Sequence, residues 1–266
     1  MSGTDDLVMD AVAMGAQMLY FKMKNNHRAK ALQAVGAKHG FTFAQKAADY
    51  HGAINQLDTS EHMNATQHSS RALSIKAKLA HRFFGDSQLQ TKLWAFNTNR
   101  MRGDWQTNCN IMEGTWKNHL MTSFDTLFFE SNDDGSNEGE YTSVLAHCKA
   151  TIPRVIISPT GLLAALKRVD ENQFFNYGFH KVSFETSDFN KRYHVAAADE
   201  KLAFDFISQA MMDYLMDHQK EKWHIELAPG GILISTICTL APKHIMEAMD
   251  FLAGFLEHVD QDLLAT

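Results

Sequence analysis

Cysteine is scarce in this chain. Only Cys109, Cys148 and Cys238 occur in 266 residues, and no two of them form a CxxC pair. That spacing excludes zinc ribbons and thioredoxin-type redox motifs. Their odd number and wide separation lead us to expect free thiols packed in apolar, strand-like surroundings, as in a reducing compartment. A basic leader is lacking as well: MSGTDDLVMD is acidic where a secretory n-region is basic. The Asn64-Ala65-Thr66 sequon is therefore expected to stay idle and the protein to be cytoplasmic. A net charge of −6 leaves no basic stripe of the kind a general nucleic-acid binder presents.

Long apolar runs are missing too. Leu7 to Phe21, LVMDAVAMGAQMLYF, spans 15 residues and contains Asp10 and Gln17, whereas crossing a bilayer takes about 20 apolar residues. Thr4-Asp5-Asp6 before it reads as a helix cap with acidic charge at the positive dipole end. Such a helix can dock on the core or on another subunit. The alternative is a helix lying in a membrane interface, with Lys22, Lys24, Arg28 and Lys30 toward anionic lipid.

Chemistry-bearing motifs are equally sparse. Fourteen histidines are present, but none forms an HxxxH or HExxH pair; His51, His62 and His68 merely lie in or beside a polar loop. No GxSxG elbow, P-loop lysine or GxGxxG opens a helix after a strand. His147-Cys148 would point to opposite faces of a strand. Glu113-Gly114-Thr115-Trp116 reads as a hairpin turn with a packed tryptophan. No catalytic residue, metal ligand or cofactor is assigned.

What is present is a clear change of period. Residues 5–39 read as helix with a break near Asn25-Asn26, from the spacing of Leu7, Ala11, Met14, Met18 and Phe21 and then Ala31, Leu32 and Val35. Gly40 is its stop. A brief extended piece follows at 41–43, a second helix at 44–55, a polar loop at 56–70 and a helix at 71–84. From about Thr91 the period becomes two, with strands expected at Asn108–Glu113, Leu120–Phe129 and Tyr141–Lys149, joined by Gly114–Asn118 and by a solvated tip, Ser131–Gly139. Val155-Ile156-Ile157 and a short helix at 160–169 come next.

Lys181–Leu215 then reads as strand, polar corner, strand, acidic loop and one long helix over 200–218, with Leu202, Phe206, Ala210, Met211 and Leu215 buried. In the corner, Ser187 or Asp188 is expected to cap a turn that Phe189 anchors. The other reading makes the corner a binding loop presenting Asp188 and Arg192. A hairpin around Pro229-Gly230-Gly231 and a helix from Pro242 to about His258 close the chain. No repeat is visible.

Phe184-Glu-Thr-Ser-Asp-Phe-Asn-Lys-Arg-Tyr-His-Val with Asp199-Glu-Lys-Leu-Ala-Phe resembles a recurrent pattern of an uncharacterised, largely actinobacterial DUF3137-like family. The stretch Asn110 to Trp116 followed by Phe124-Asp125 is similar to that family's hairpin, and the likeness extends over roughly residues 28–236. In many such proteins a hydrophobic membrane segment precedes the domain, where this chain has the Asp10-containing Leu7–Phe21. The resemblance implies no agreed activity, catalytic residue or cofactor.

The expected fold is α+β: a curved, mainly antiparallel sheet packed with helices, with an N-terminal helical extension over 1–26 and one α+β domain over 27–266. Consecutive strands without crossover helices disfavour a doubly wound parallel sheet. The expected function is that of a non-catalytic interaction protein, a subunit, adaptor or accessory factor. It would bind a protein partner or itself through Leu7, Met14, Met18, Phe21, Asp188 and Arg192. Two alternatives stand beside it: an enzyme, a hydrolase for instance, with a site assembled from scattered His and Asp, and a protein docking on anionic membrane through residues 5–30.

Overall fold

A computed structural model describes residues 23–57, 92–93, 96, 105–132, 135–148, 154–160 and 178–259. Nine strands form one curved, open sheet in which every neighbouring pair is antiparallel. We number them β1 (Thr42–Lys46), β2 (Trp105–Trp116), β3 (His119–Asn132), β4 (Gly135–His147), β5 (Val155–Pro159), β6 (His180–Val182), β7 (Tyr193–Ala197), β8 (His224–Ala228) and β9 (Gly231–Ser235). Their order across the sheet is β1-β2-β3-β4-β9-β8-β5-β7-β6. The helices are α1 (23–38), α2 (Ser187–Arg192), α3 (Glu200–Phe206), α4 (Gln209–Asp217) and α5 (Pro242–Glu257). The α+β class expected from the change of period is the observed one.

The alternation in β3 sorts side chains to two faces. Met121, with Val144 of β4, Ile234 of β9, Ile225 of β8 and Ile157 of β5, packs under α1, α4 and α5 in the main core. α5 contributes Ile245, Met249, Leu252, Phe255 and Leu256 at helical spacing. On the opposite face Phe124, Leu145 and Leu233 pack with Tyr50, Ile54, Leu57, Leu93 and Phe96 in a second, smaller cluster.

Several elements differ from the sequence reading. α1 runs through Asn25-Asn26 without a break, because Asn25 faces the sheet and finds a side-chain partner there. Its buried stripe is Ala29, Leu32 and Gly36, while Ala31 and Val35 lie at the margin. Residues 44–55 are not a helix: β1 continues to Lys46, and two short 3-10 turns follow at Ala47–Asp49 and Ala53–Gln56. The β2–β3 turn is Lys117-Asn118, both left-handed (φ 44° and 68°) as a two-residue hairpin asks.

The acidic stretch read as a solvated tip instead pairs as far as Asn132 with Gly135. The single helix over 200–218 is two helices, because Ser208 accepts a hydrogen bond from the Met211 amide and starts α4 afresh. That break turns Leu202 (48% exposed) and Ala210 outward and leaves Phe206, Met211 and Leu215 buried. The readings for 5–22, 58–70, 71–84 and 161–169 lie outside the described residues.

The stop at Gly40 is as expected. Phe41 donates to the Gly36 carbonyl at 2.8 Å and Gly40 to Ala37 at 3.3 Å, closing a Schellman motif with Gly40 at φ 73°. Nothing lies where a Cβ would stand, so only the backbone conformation opposes a side chain. Gly40→Ala is expected to lower stability by about 1–2 kcal/mol, read as a shift of the urea midpoint at constant slope. Wild-type stability would refute it.

Candidate functional site

Two buried polar networks and one buried polar chain hold the titratable groups that the fold brings together. The largest network starts from a bulge in β2. Cys109 pairs with Asp125 and Met112 with Ser123, so β2 spends one extra residue there. Asn110 absorbs it with φ 53°, a conformation asparagine tolerates better than most residues. The bulge puts Cys109 and Met112 on one face, although three residues apart, and turns the Asn110 amide toward Asp125.

Asp125 then becomes a hub. It accepts Arg28 Nε at 2.6 Å and Arg28 Nη2 at 2.8 Å, the Thr142 hydroxyl at 2.7 Å and the Asn110 amide at 2.9 Å. Asn110 also donates to Asn25 of α1 at 2.5 Å. Arg28 extends further, Nη2 to the Thr142 hydroxyl at 3.2 Å and Nη1 to the Leu240 carbonyl. Burial pulls the guanidinium pKa down and the Asp125 contact pushes it up, with the balance above its ordinary value. Burial first, and the Asp125 charge second, push the Cys109 thiol well up. Cys109 is thus an inert packed thiol, as the sequence suggested.

The second network sits on the opposite face around Glu113. One oxygen of Glu113 accepts the Tyr50 hydroxyl, the Ala53 amide at 3.0 Å and the Thr122 hydroxyl at 2.8 Å. These bonds clamp the turns of 47–56 onto the sheet. Thr122 has spent its proton on Glu113, so the 2.8 Å contact from His147 Nε2 is an N–H donated to the Thr122 oxygen. Burial lowers the His147 pKa to about 4, opposed by the Glu113 charge. Burial and the Glu113 hydrogen bond push the Tyr50 hydroxyl up. Glu113 is therefore a clamp, where the sequence reading saw only a turn.

The chain is Ser158–His224–Glu226, on paired strands β5 and β8. Ser158 Oγ lies 3.1 Å from His224 Nδ1, and His224 Nε2 lies 3.0 Å from Glu226 Oε1. A hydroxyl, an imidazole and a carboxylate in that order resemble a nucleophile relay. Their exposures are 1%, 4% and 2%, so the Ser158 oxygen has no open side from which an acyl carbon could approach. A strand period of two puts His224 and Glu226 on one face, which is the only sequence signal for this chain.

Asp188 and Arg192, assigned from the sequence, are exposed on α2 and are not drawn into any of these groups. Asp188 pairs with Lys191 at 3.0 Å, a surface contact. Phe189 is fully buried, as expected of an anchor. The cap is not Ser187 or Asp188: Thr186 occupies the N-cap without a side-chain bond. Asn190 instead ties the corner, bonding both the amide and the carbonyl of Phe184 at 3.0 and 2.5 Å. Leu7, Met14, Met18 and Phe21 lie outside the described residues.

Of the four cations proposed to face lipid, two are already engaged: Lys24 pairs with Glu140 and Arg28 with Asp125. No cluster of three or more metal-ligating side chains occurs among the described residues. No described helix is long and apolar enough to cross a membrane. All three cysteines are free, and Cys238 is exposed rather than packed, because it sits in the irregular segment between β9 and α5.

No protein-family model matches the chain, and no curated protein matches it. Among solved structures, the crystal structure of the mycobacterial trehalose monomycolate transport factor A, TtfA, is similar. It has 10% identity and a TM-score of 0.48, covering 86% of this chain and 93% of that one. At that overlap the likeness carries no argument about function.

Proposed function

We propose that this protein is a non-catalytic interaction protein, a subunit or accessory factor, whose N-terminal segment makes the contact and whose α+β body displays it. The observation that supports this reading is how α1 is held. Arg28, Asn25 and Lys24 fasten its first turns to β2, β3 and β4, so the described residues begin on a fixed platform. Both oxygens of Asp125 and one of Glu113 are engaged by internal donors, which suits a scaffold better than an acid–base site. Asp188 and Arg192, exposed on α2, are proposed as a subsidiary contact.

Deleting residues 1–24 is expected to lower the mass measured by light scattering on a sizing column, or to remove a stoichiometric partner co-purified from the native host. A variant with Met14→Asp and Met18→Asp, which keeps the full chain length, is expected to do the same. An unchanged mass and an unchanged set of partners in both variants would refute the proposal. Flotation with anionic liposomes separates the membrane alternative, which the engagement of Lys24 and Arg28 by carboxylates already weighs against.

A further inference from the structure

We infer that Arg28 couples α1 to the segment 236–241 leading into α5, so that the two respond as one unit when either is displaced. The inference goes beyond the proposed function and holds whether or not residues 1–24 bind a partner.

Three observations carry it. First, the apolar underside of α1 is smooth: Ala29, Leu32 and Gly36 are its buried residues, and a Cβ on Gly36 would stand 3.0 Å from the Met112 sulfur. Helices keep their register by interlocking large side chains into grooves. With two of three contact positions small, apolar register rests on two contacts alone, Leu32 in the main core and Met112 against Gly36.

Second, the guanidinium adds a directional constraint to these two contacts. Its three nitrogens reach three separate elements: Asp125 on β3, Thr142 on β4 and the Leu240 carbonyl ahead of α5. A planar fork fixes direction as well as distance. Third, 236–241 is held almost wholly through the same residue, Thr142. The Thr236 amide donates to the Thr142 carbonyl at 3.1 Å and the Thr142 amide to the Cys238 carbonyl at 3.3 Å. The Leu240 amide donates to the Thr142 hydroxyl at 2.9 Å. That hydroxyl in turn donates to Asp125. Movement of Arg28 therefore withdraws a partner from Leu240 and from Thr142 together, and movement of the segment withdraws one from Arg28.

Amide hydrogen exchange read by mass spectrometry on the full chain tests this from both sides. Arg28→Met is expected to speed exchange at least about tenfold in α1 and in 236–241 together, with β8 and the middle of α5 unchanged. Thr236→Val removes the hydroxyl that bonds the Thr142 and Cys238 carbonyls, touches neither Arg28 nor Asp125, and so acts on the other end. Coupling is reciprocal, so α1 is expected to speed up there as well. An increase confined to α1 in Arg28→Met, or to 236–241 in Thr236→Val, would overturn the inference. So would a uniform increase along the whole chain in both variants. Arg28→Lys keeps the charge and loses the fork; it is expected to behave like Arg28→Met, and wild-type exchange in it would overturn the directional argument.

Discussion

Asp125→Ala is expected to cost about 3–5 kcal/mol of folding free energy, a large part of the 5–15 kcal/mol a domain of ordinary stability possesses. The size follows from what the substitution leaves behind rather than from what it removes. An isolated ion pair at a surface contributes about 0–1 kcal/mol. Here the Arg28 side chain is 12% exposed and that of Asp125 3%, so the lost carboxylate strands a positive charge away from water. It also strands one N–H of the Asn110 amide and the Thr142 hydroxyl proton, each of which has Asp125 as an acceptor. A buried donor without its acceptor costs about 1–3 kcal/mol more.

Urea denaturation of wild type and variant at one pH measures the loss. A decrease under about 1 kcal/mol would show that α1 lifts and lets water reach Arg28. The pairing of Arg28→Met with Asp125→Leu separates charge from fold. Removing both charges is expected to recover part of the loss, although one Asn110 N–H and the Leu240 carbonyl lose their partners. The network thus contributes less to stability than to a single placement of α1, the role on which its coupling to 236–241 depends.

How much of this was legible in the sequence follows from the range of the interactions. The period-two alternation from Met121 to Phe129 and the Pro229-Gly230 turn, with Gly230 at φ 98°, depend on neighbours along the chain and were read correctly. The extent of pairing was not, because polar Ser131–Gly139 looks like loop on composition alone while its backbone pairs as well as any other. Residues 200–218 read as one continuous helix because Ser208 is acceptable inside a helix; only its cap on Met211 marks the break.

The polar networks were invisible for a different reason. Arg28 and Asp125 are 97 residues apart, and Tyr50 and Glu113 are 63 apart, so no spacing rule joins them. One local signal existed: asparagine is depleted in strands and tolerates the left-handed region. The two asparagines of Asn108-Cys109-Asn110 therefore mark a bulge site, and the bulge is what aims Asn110 at Asp125.

Acidification is expected to weaken the fold through His147, and the sign can be worked out. The ordinary histidine value is 6.5, and in the fold burial lowers that of His147 to about 4. The folded protein therefore prefers the neutral ring, and the unfolded chain takes up the proton first. The corresponding stability is fully present above pH 6.5 and is lost as pH falls from 6.5 to about 4. At 1.36 kcal/mol per pKa unit it amounts to about 3 kcal/mol. The structural cause is specific: Nε2 already donates to Thr122, whose proton is held by Glu113, so a second proton must enter at Nδ1 in a largely buried ring.

His147→Gln keeps a donor for Thr122 and removes the titration. Wild type and variant are therefore expected to diverge between pH 7 and pH 4, the variant losing about 3 kcal/mol less over that interval. Urea midpoints measured at several pH values across the interval give the difference directly. Parallel curves would mean that another group carries the acid sensitivity. In that case the clamp on residues 47–56 would survive protonation of His147, with Tyr50 and the Ala53 amide still bound to Glu113.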